Sequence, residues 1–344
     1  MTTRSQVQAA DILRTPRDFL RWAISRFNAA DLVYGHGTTG ALDEAAFLIL
    51  EGLRLPIDTL DPFLDARLLP DERVRLAGLI EARVTTRKPA SYLLQKAWVG
   101  GVPFFVDERV IVPRSFIGEL LRGEMFSGGP ASLVEDPDTV GRVLDLCTGS
   151  GCLAILAALA FPNATIDAVD LSPAALEVAA RNVREHGLDA RVRLFEGDLF
   201  APLGGERYDL VVTTPPYVGA AVMADLPPEF ASEPAMALDG GGEDGLDIVR
   251  RILAGAPDHL APGGGMICEI GEDREILEAD FPDLPFLWLD TAESAGEVFW
   301  LRAEDLGVTR AKAARAGKRP LPRPAAEKGA SSAATSGARR PGRG

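Results

Sequence analysis

Residues 142–170, RVLDLCTGSGCLAILAALAFPNATIDAVD, decide the fold. The run 142–147 is strand-like, short and apolar apart from Asp145. Gly149 and Gly151 then make a turn, residues 151–160 suit a helix, and Pro162-Asn163 breaks it before a second strand-like run at 164–170. Strand, glycine turn, helix and strand make the repeating unit of a parallel sheet. At such a turn a side chain would collide with a ligand lying over the backbone, hence the glycines. Asp170 stands nineteen residues beyond Gly151, at the end of the second strand, where a carboxylate can grip both hydroxyls of a ribose.

Taken literally, residues 149–154 also satisfy the dinucleotide fingerprint GxGxxA, so two ligands compete for the loop. Asp145 separates them. A dinucleotide strand is usually apolar at that place and leaves the pyrophosphate to the helix terminus. An acid there suits a cationic ligand carrying an amine, such as the methionine part of S-adenosylmethionine. A third acid, Asp198, follows the next strand, where an adenine amino group can be read. The candidate cofactor residues are Asp145, the turn Cys147, Thr148, Gly149, Ser150 and Gly151, then Asp170 with Leu171 and Asp198 with Leu199, and S-adenosylmethionine is the expected cofactor.

Working outward, further strands are expected at 191–196, 208–213, 265–270, 285–290 and 296–301, and helices at 173–186 and 245–260. The alternation implies a doubly wound parallel sheet, with the final strand antiparallel because too few residues precede it for a crossover helix. Upstream, residues 1–95 carry apolar residues at helical spacing, among them Phe19, Trp22, Ala23 and Phe27, with helix starts at Thr15-Pro16 and Leu69-Pro70. Residues 97–112 hold two β-rich runs on either side of Asp107-Glu108-Arg109, which predicts a hairpin turning there. The expected organisation is a helical N-terminal substrate-recognition domain (1–95), a β-hairpin linker (96–115), a catalytic α/β domain (116–306) and a disordered basic tail (307–344).

Composition narrows the class. The 344 residues are 47% hydrophobic and 25% charged, ordinary for a soluble protein, and the three cysteines suit neither a disulfide framework nor a zinc site. No signal peptide is readable at the N-terminus, and the longest apolar run, 152–161, is about half of a membrane crossing. The expected location is the cytoplasm, without membrane. The net charge of −14 hides an asymmetry: residues 311–344 hold nine Lys or Arg against one Glu, a charge of +8, so the rest carries −22. Such a body repels a nucleic-acid backbone, so no direct nucleic-acid binding is expected of it, and it attracts a very basic polypeptide. Simple solubility explains the same charge.

After the fourth strand of the sheet stands Thr213-Thr214-Pro215-Pro216-Tyr217. Prolines end strand pairing, and ligands of such sheets bind beyond the strand C-termini at the topological switch point. With this motif, ASYLL, VPFFVDERVIVPRS, LDLCTGSGCLAI, AVDLSPAALEVAARN, DLPPEF, EPAMAL, DGLDIVRRIL and GGMICEIG, the sequence from about residue 15 to 305 resembles the ribosomal-protein glutamine methyltransferases. These modify an amide nitrogen of large-subunit ribosomal protein number three. The resemblance implies a Rossmann-like, seven-stranded class I S-adenosylmethionine methyltransferase sheet with a small helical N-terminal domain. It implies a ribosomal large-subunit protein as partner. The related release-factor methyltransferases usually read PRPDTE where this chain has Pro113-Arg114-Ser115-Phe116-Ile117-Gly118-Glu119, which favours the ribosomal substrate.

The family motif is Asn-Pro-Pro-Tyr, and Thr214 stands in the Asn place. In the family's mechanism the Asn side-chain oxygen and the first proline's carbonyl accept the two amide hydrogens and orient the nitrogen, while the tyrosine packs the amide plane. The resemblance thus implies Thr214, Pro215, Pro216 and Tyr217 as the catalytic set. A threonine hydroxyl accepts from a shorter reach and also donates, which leaves open a compensated variant, an impaired enzyme or a changed substrate. Arg114, Glu233 and Pro234 are candidates for the substrate channel, with plain surface or loop-shaping roles as the alternative, and Asn182 reads as structural. His36, His186 and His259 are too scattered for a metal site, and no metal is expected. The rival readings are amino methylation of a nucleic-acid base or release factor, and a cofactor-binding assembly factor without turnover.

Overall fold

The structure, a computed structural model, describes residues 4–292 and 294–307. The expectation for the basic tail therefore lies outside the described residues. Thr15 opens the second helix with a reciprocal cap: its hydroxyl accepts from the Asp18 amide at 3.2 Å, and Asp18 accepts from the Thr15 amide at 3.0 Å. The N-terminal helices are α1 (Arg4–Ile12), α2 (Pro16–Ala29), α3 (Ala41–Leu53), α4 (Pro70–Thr86) and the short α5 (Ala90–Leu94). Prolines at the first position of α2 and α4 suit the fixed φ and unpaired N–H of a helix start. Phe19 and Phe27, Leu48 and Ile49, and Leu76 and Ile80 are fully buried where α2, α3 and α4 meet. Among them lies an ion pair with almost no exposure, Arg83 Nε to Glu44 Oε1 at 2.5 Å.

A hairpin follows, but not where the sequence reading put it. Strands β1 (Ala97–Val99) and β2 (Val102–Phe104) turn at Gly100-Gly101, with φ of 55° and 75°. A two-residue hairpin turn of this kind needs positive φ at both central residues, which two glycines supply freely. Asp107-Glu108-Arg109 instead forms a turn in which the Asp107 carboxylate accepts the Arg109 amide at 3.1 Å, and residues 105–112 run outside any strand.

The rest folds as α6 (Ile117–Arg122), β3 (Arg142–Leu146), α7 (Cys152–Ala160), β4 (Thr165–Asp170), α8 (Pro173–Glu185), β5 (Val192–Glu196), β6 (Tyr208–Thr213), α9 (Ala220–Asp225), α10 (Asp247–His259), β7 (Leu260–Glu269), α11 (Arg274–Asp280), β8 (Leu287–Asp290) and β9 (Ala295–Arg302). The sheet runs β5-β4-β3-β6-β7-β9-β8, and β9 is antiparallel to both of its neighbours. One face packs α7 with α6 and the hairpin, through residues such as Ile155, Leu156, Ile117 and Val102. The other packs α10 through Val249, Ile252 and Leu253. Strand β7 begins five residues before the expected 265, because Leu260 pairs with Tyr208 across an irregularity that absorbs the Pro-Gly-Gly run. Among the described residues, no helix is long and apolar enough to cross a membrane.

Candidate active site

Strand β3 lies between β4 and β6, so the chain leaves it in one direction through α7 and arrives at its other side with β6. The loops after β3 and β6 therefore splay apart, and a cleft opens beyond the strand ends. It has two lobes. One is lined by Asp170, Leu171, Asp198, Leu199 and Pro234, the other by Asp145, Thr148, Ser150, Pro215, Tyr217 and Glu269. Cys147, Gly149, Thr214 and Pro216 line both.

Asp145 is buried, and its Oδ2 accepts from the Thr148 hydroxyl at 2.5 Å and from the Ala154 amide at 3.0 Å. Its Oδ1 is buried with no hydrogen-bond partner. Burial pushes the carboxyl up to about 7, against the opposing pull of those two donors. An unpaired buried carboxylate oxygen facing a cleft suits a cationic donor. Asp170 accepts from the Gly149 and Ser172 amides, at 2.8 and 2.9 Å on separate oxygens, and each oxygen keeps a lone pair for a hydroxyl. Burial raises it as well.

The two glycines of the turn do different work. Gly149 has a φ of +54°, and a Cβ there would meet nothing within 4 Å, so the space above it is open. Gly151 does not line the cleft. Its φ is +79°, and a Cβ there would lie 3.2 Å from Ala179 Cβ, so both the left-handed backbone and the packing of α8 favour glycine. Asn182 is indeed structural, and it also joins two parts. Fully buried on α8, it accepts from the Phe105 amide and donates to the Ser150 carbonyl, tying the linker to the turn. Asp198 sits at the rim, half exposed, paired with Arg251 at 2.6 Å.

Thr213 is buried and donates to the Leu146 carbonyl at 2.9 Å, so it faces β3 and leaves Thr214 at the cleft. Thr214 Oγ1 lies 2.8 Å from Ser115 Oγ, and the Ser115 hydroxyl donates to Glu269 Oε2 at 2.7 Å. Burial pushes Glu269 up to about 7. Neither Ser115 nor Glu269 stands out in the sequence: Ser115 lies in the loop before α6, 99 residues from Thr214 and 154 from Glu269 at the end of β7. Tyr217 packs against Gly271, where a Cβ would come 2.9 Å from its ring, and burial raises its phenol. The backbone after it is clasped by the following insertion: Val218 donates to Leu238 at 2.8 Å and Gly240 donates back to Val218 at 3.1 Å.

Arg114 and Glu233 meet each other. The guanidinium donates to both carboxylate oxygens, at 2.6 and 2.9 Å, and Glu233 also accepts the Val112 amide at 2.9 Å. Arg114 still lines the cleft, whereas Glu233 is buried behind it and shapes the loop. Above them, Phe230 packs against buried His36, ring centroids 4.3 Å apart and planes tilted by 46°, and burial drives that imidazole down to about 4. Glu229, with no exposure, accepts from the Val33 amide at 3.0 Å and pairs with Arg87 at 2.6 Å. The insertion between α9 and α10 is thereby bolted to the N-terminal helices.

The family description "Methyltransferase small domain" matches residues 129–246, which hold the turn, Asp170 and the Thr-Pro-Pro-Tyr motif. Over 290 residues the chain is 61% identical to the ribosomal protein uL3 glutamine methyltransferase of Bradyrhizobium diazoefficiens, spanning 84% of this chain and 91% of that protein. The chain belongs to the ribosomal protein uL3 glutamine methyltransferase family. Family members of the same name from Bordetella pertussis and Burkholderia pseudomallei are 57% and 54% identical over 86% and 85% of the chain, and over 97% and 96% of their own lengths. The sheet is accordingly the class I S-adenosylmethionine methyltransferase fold.

Proposed function

We propose that this protein transfers a methyl group from S-adenosylmethionine to the side-chain amide nitrogen of a glutamine in ribosomal protein uL3. Thr214 and Pro216 line both lobes of the cleft, and this observation carries the reading, because groups held in the two lobes meet at that motif. S-adenosylmethionine, when bound, supplies an electrophilic methyl group carried on a sulfonium. Asp145 would hold its amino group through the unpartnered Oδ1, and Asp170 would hold the ribose hydroxyls. The open space over Gly149 fits a ligand close to the backbone.

An amide nitrogen is a weak nucleophile because its lone pair is delocalised, so orientation and acceptors for its hydrogens are what the protein has to provide. Thr214 Oγ1 supplies one acceptor at the lobe junction, and the half-buried Tyr217 ring walls the amide plane. Helices α1–α5 and the insertion they hold stand beside that lobe and form the surface a protein substrate reaches first. The test is transfer of labelled methyl to large-subunit ribosomal proteins from cells lacking the modification. Label is expected in one glutamine of uL3, and Thr214→Asn should change the rate by less than the roughly hundredfold that loss of a positioned partner costs. Cofactor binding with no labelled protein in either form overturns the reading.

A pH dependence follows for the cofactor. Without ligand Asp145 holds its proton below about 7, and a bound cation favours the ionised form. Binding then releases a proton, so affinity for S-adenosylhomocysteine, which carries the same amine, should rise about tenfold per unit up to that pH and level above it. Alone, the raised carboxyl makes the folded protein bind a proton the unfolded chain has lost, so its contribution to stability falls as pH climbs from 3.8 to about 7. Calorimetric titration between about pH 5 and 8 checks the affinity. A flat profile, or an Asp145→Asn variant with the same slope, rules the role out.

A further inference from the structure

We propose that Ser115 and Glu269 are positioning residues that fix the Thr214 hydroxyl as a hydrogen-bond acceptor toward the cleft. The inference rests on the reading above for its consequence in catalysis, but not for its geometry. A hydroxyl has one proton and two lone pairs. Ser115 Oγ has three polar neighbours: Glu269 Oε2 at 2.7 Å, the Ile117 amide at 3.2 Å and Thr214 Oγ1 at 2.8 Å. An ionised carboxylate only accepts, so the Ser115 proton goes to Glu269. A backbone amide only donates, so one lone pair of Ser115 is taken by Ile117. The remaining lone pair has to receive the Thr214 proton.

Thr214 then has no proton to present, and its own lone pairs are left for the cleft it lines. The asparagine of the family motif is an acceptor by constitution, through its amide oxygen. A threonine becomes one only when its proton is committed elsewhere, and Ser115 commits it. The Phe116 amide donates to the same Glu269 oxygen at 2.9 Å, which holds the carboxylate in place. The arrangement therefore explains how a chain with threonine at this position retains an acceptor for the substrate amide.

Burial raises Glu269 to about 7; Glu297 on β9 adds to this, Arg114 opposes it, and Tyr217 faces it from the loop after β6. The carboxylate is ionised above that pH, and tests belong at about pH 8.5. Neutron diffraction from deuterium-exchanged crystals of the protein alone should place the Thr214 deuterium on the line to Ser115 and the Ser115 deuterium on the line to Glu269. A Ser115 deuterium pointing at Thr214 overturns the proposal.

Kinetics supplies a second arm. Ser115→Ala frees the Thr214 proton to face the substrate, and the loss in kcat should be at least about tenfold larger than that of the same change in a Thr214→Asn background. Cofactor affinity and KM should stay level. Equal losses in both backgrounds would assign Ser115 a merely structural role and end the proposal. If no variant methylates uL3 while the deuterium atoms lie as expected, the substrate reading fails and the hydroxyl polarity stands.

Discussion

Gly245→Ala is expected to lower methyl transfer by about a hundredfold or more while leaving the sheet folded, since misplacing reacting groups by about an ångström costs that much. Gly245 has a φ of +76°, and a Cβ there would lie 2.2 Å from the Tyr217 carbonyl oxygen and 2.7 Å from the Gly219 amide nitrogen. Neither obstacle is a flexible side chain, so the Pro-Pro-Tyr backbone itself has to move. Gly240 is in the same position, with a Cβ 2.8 Å from Tyr217 Cα. The glycines of residues 240–245 thus let the insertion lie directly on the motif and hold its backbone in register. Gly205→Ala serves as the control, because nothing lies within 4 Å of a Cβ there. Single-turnover rates on uL3, with circular dichroism to verify folding, decide it. Unchanged turnover in Gly245→Ala would mean that the clasp does not position the motif.

Glu44→Ala should be the most destabilising of the ion-pair changes, by about 3–5 kcal/mol in urea unfolding. It leaves the Arg83 guanidinium charged inside the N-terminal core with no acid in contact. The penalty comes from that stranded charge more than from the lost attraction. The Arg83 fork also donates to the Arg87 carbonyl at 2.8 Å and the Val33 carbonyl at 3.0 Å, so it orients the segments that grip Glu229. Exposed pairs such as Arg17–Asp65 provide the contrast: Asp65→Ala should leave the urea midpoint nearly unchanged, since water screens that pair. Equal effects of the two substitutions would show that the buried pair is not what holds this module.

Local pattern carried much of the fold. Residues 142–170 announced strand, turn, helix and strand because each element's period and breakers lie within a few residues, and the short gap before β9 foretold its reversed direction. Asp145, Asp170 and the Thr-Pro-Pro-Tyr motif were legible for the same reason, since each sits at a fixed place relative to a strand end. The hairpin turn was misplaced at 107–109 because polar residues outweighed the Gly-Gly pair in the reading, although only the glycines supply the required φ. Ser115, Glu269 and the true partner of Arg114 were out of reach. Those contacts join residues 99 to 154 positions apart, and no periodicity records which loop a strand end will meet. Gly151 has two further reasons to be glycine that the motif alone does not record, its φ of +79° and the approach of Ala179.

The bolt between Glu229 and the N-terminal helices also sets an order of events during synthesis. Val33 and Glu229 are 196 residues apart, and at about 5–20 residues per second the acid is made some 10–40 s after its partner. Until then the Val33 amide lacks its carboxylate, and the Arg87 guanidinium has the Ala30 and Asp31 carbonyls but no acid to pair with. The loop they close is long, so its closure entropy is met late and by several contacts together, Arg114 with Glu233 among them. The N-terminal helices can pack as soon as they leave the ribosome, but they join the catalytic loop only after most of the chain has been made.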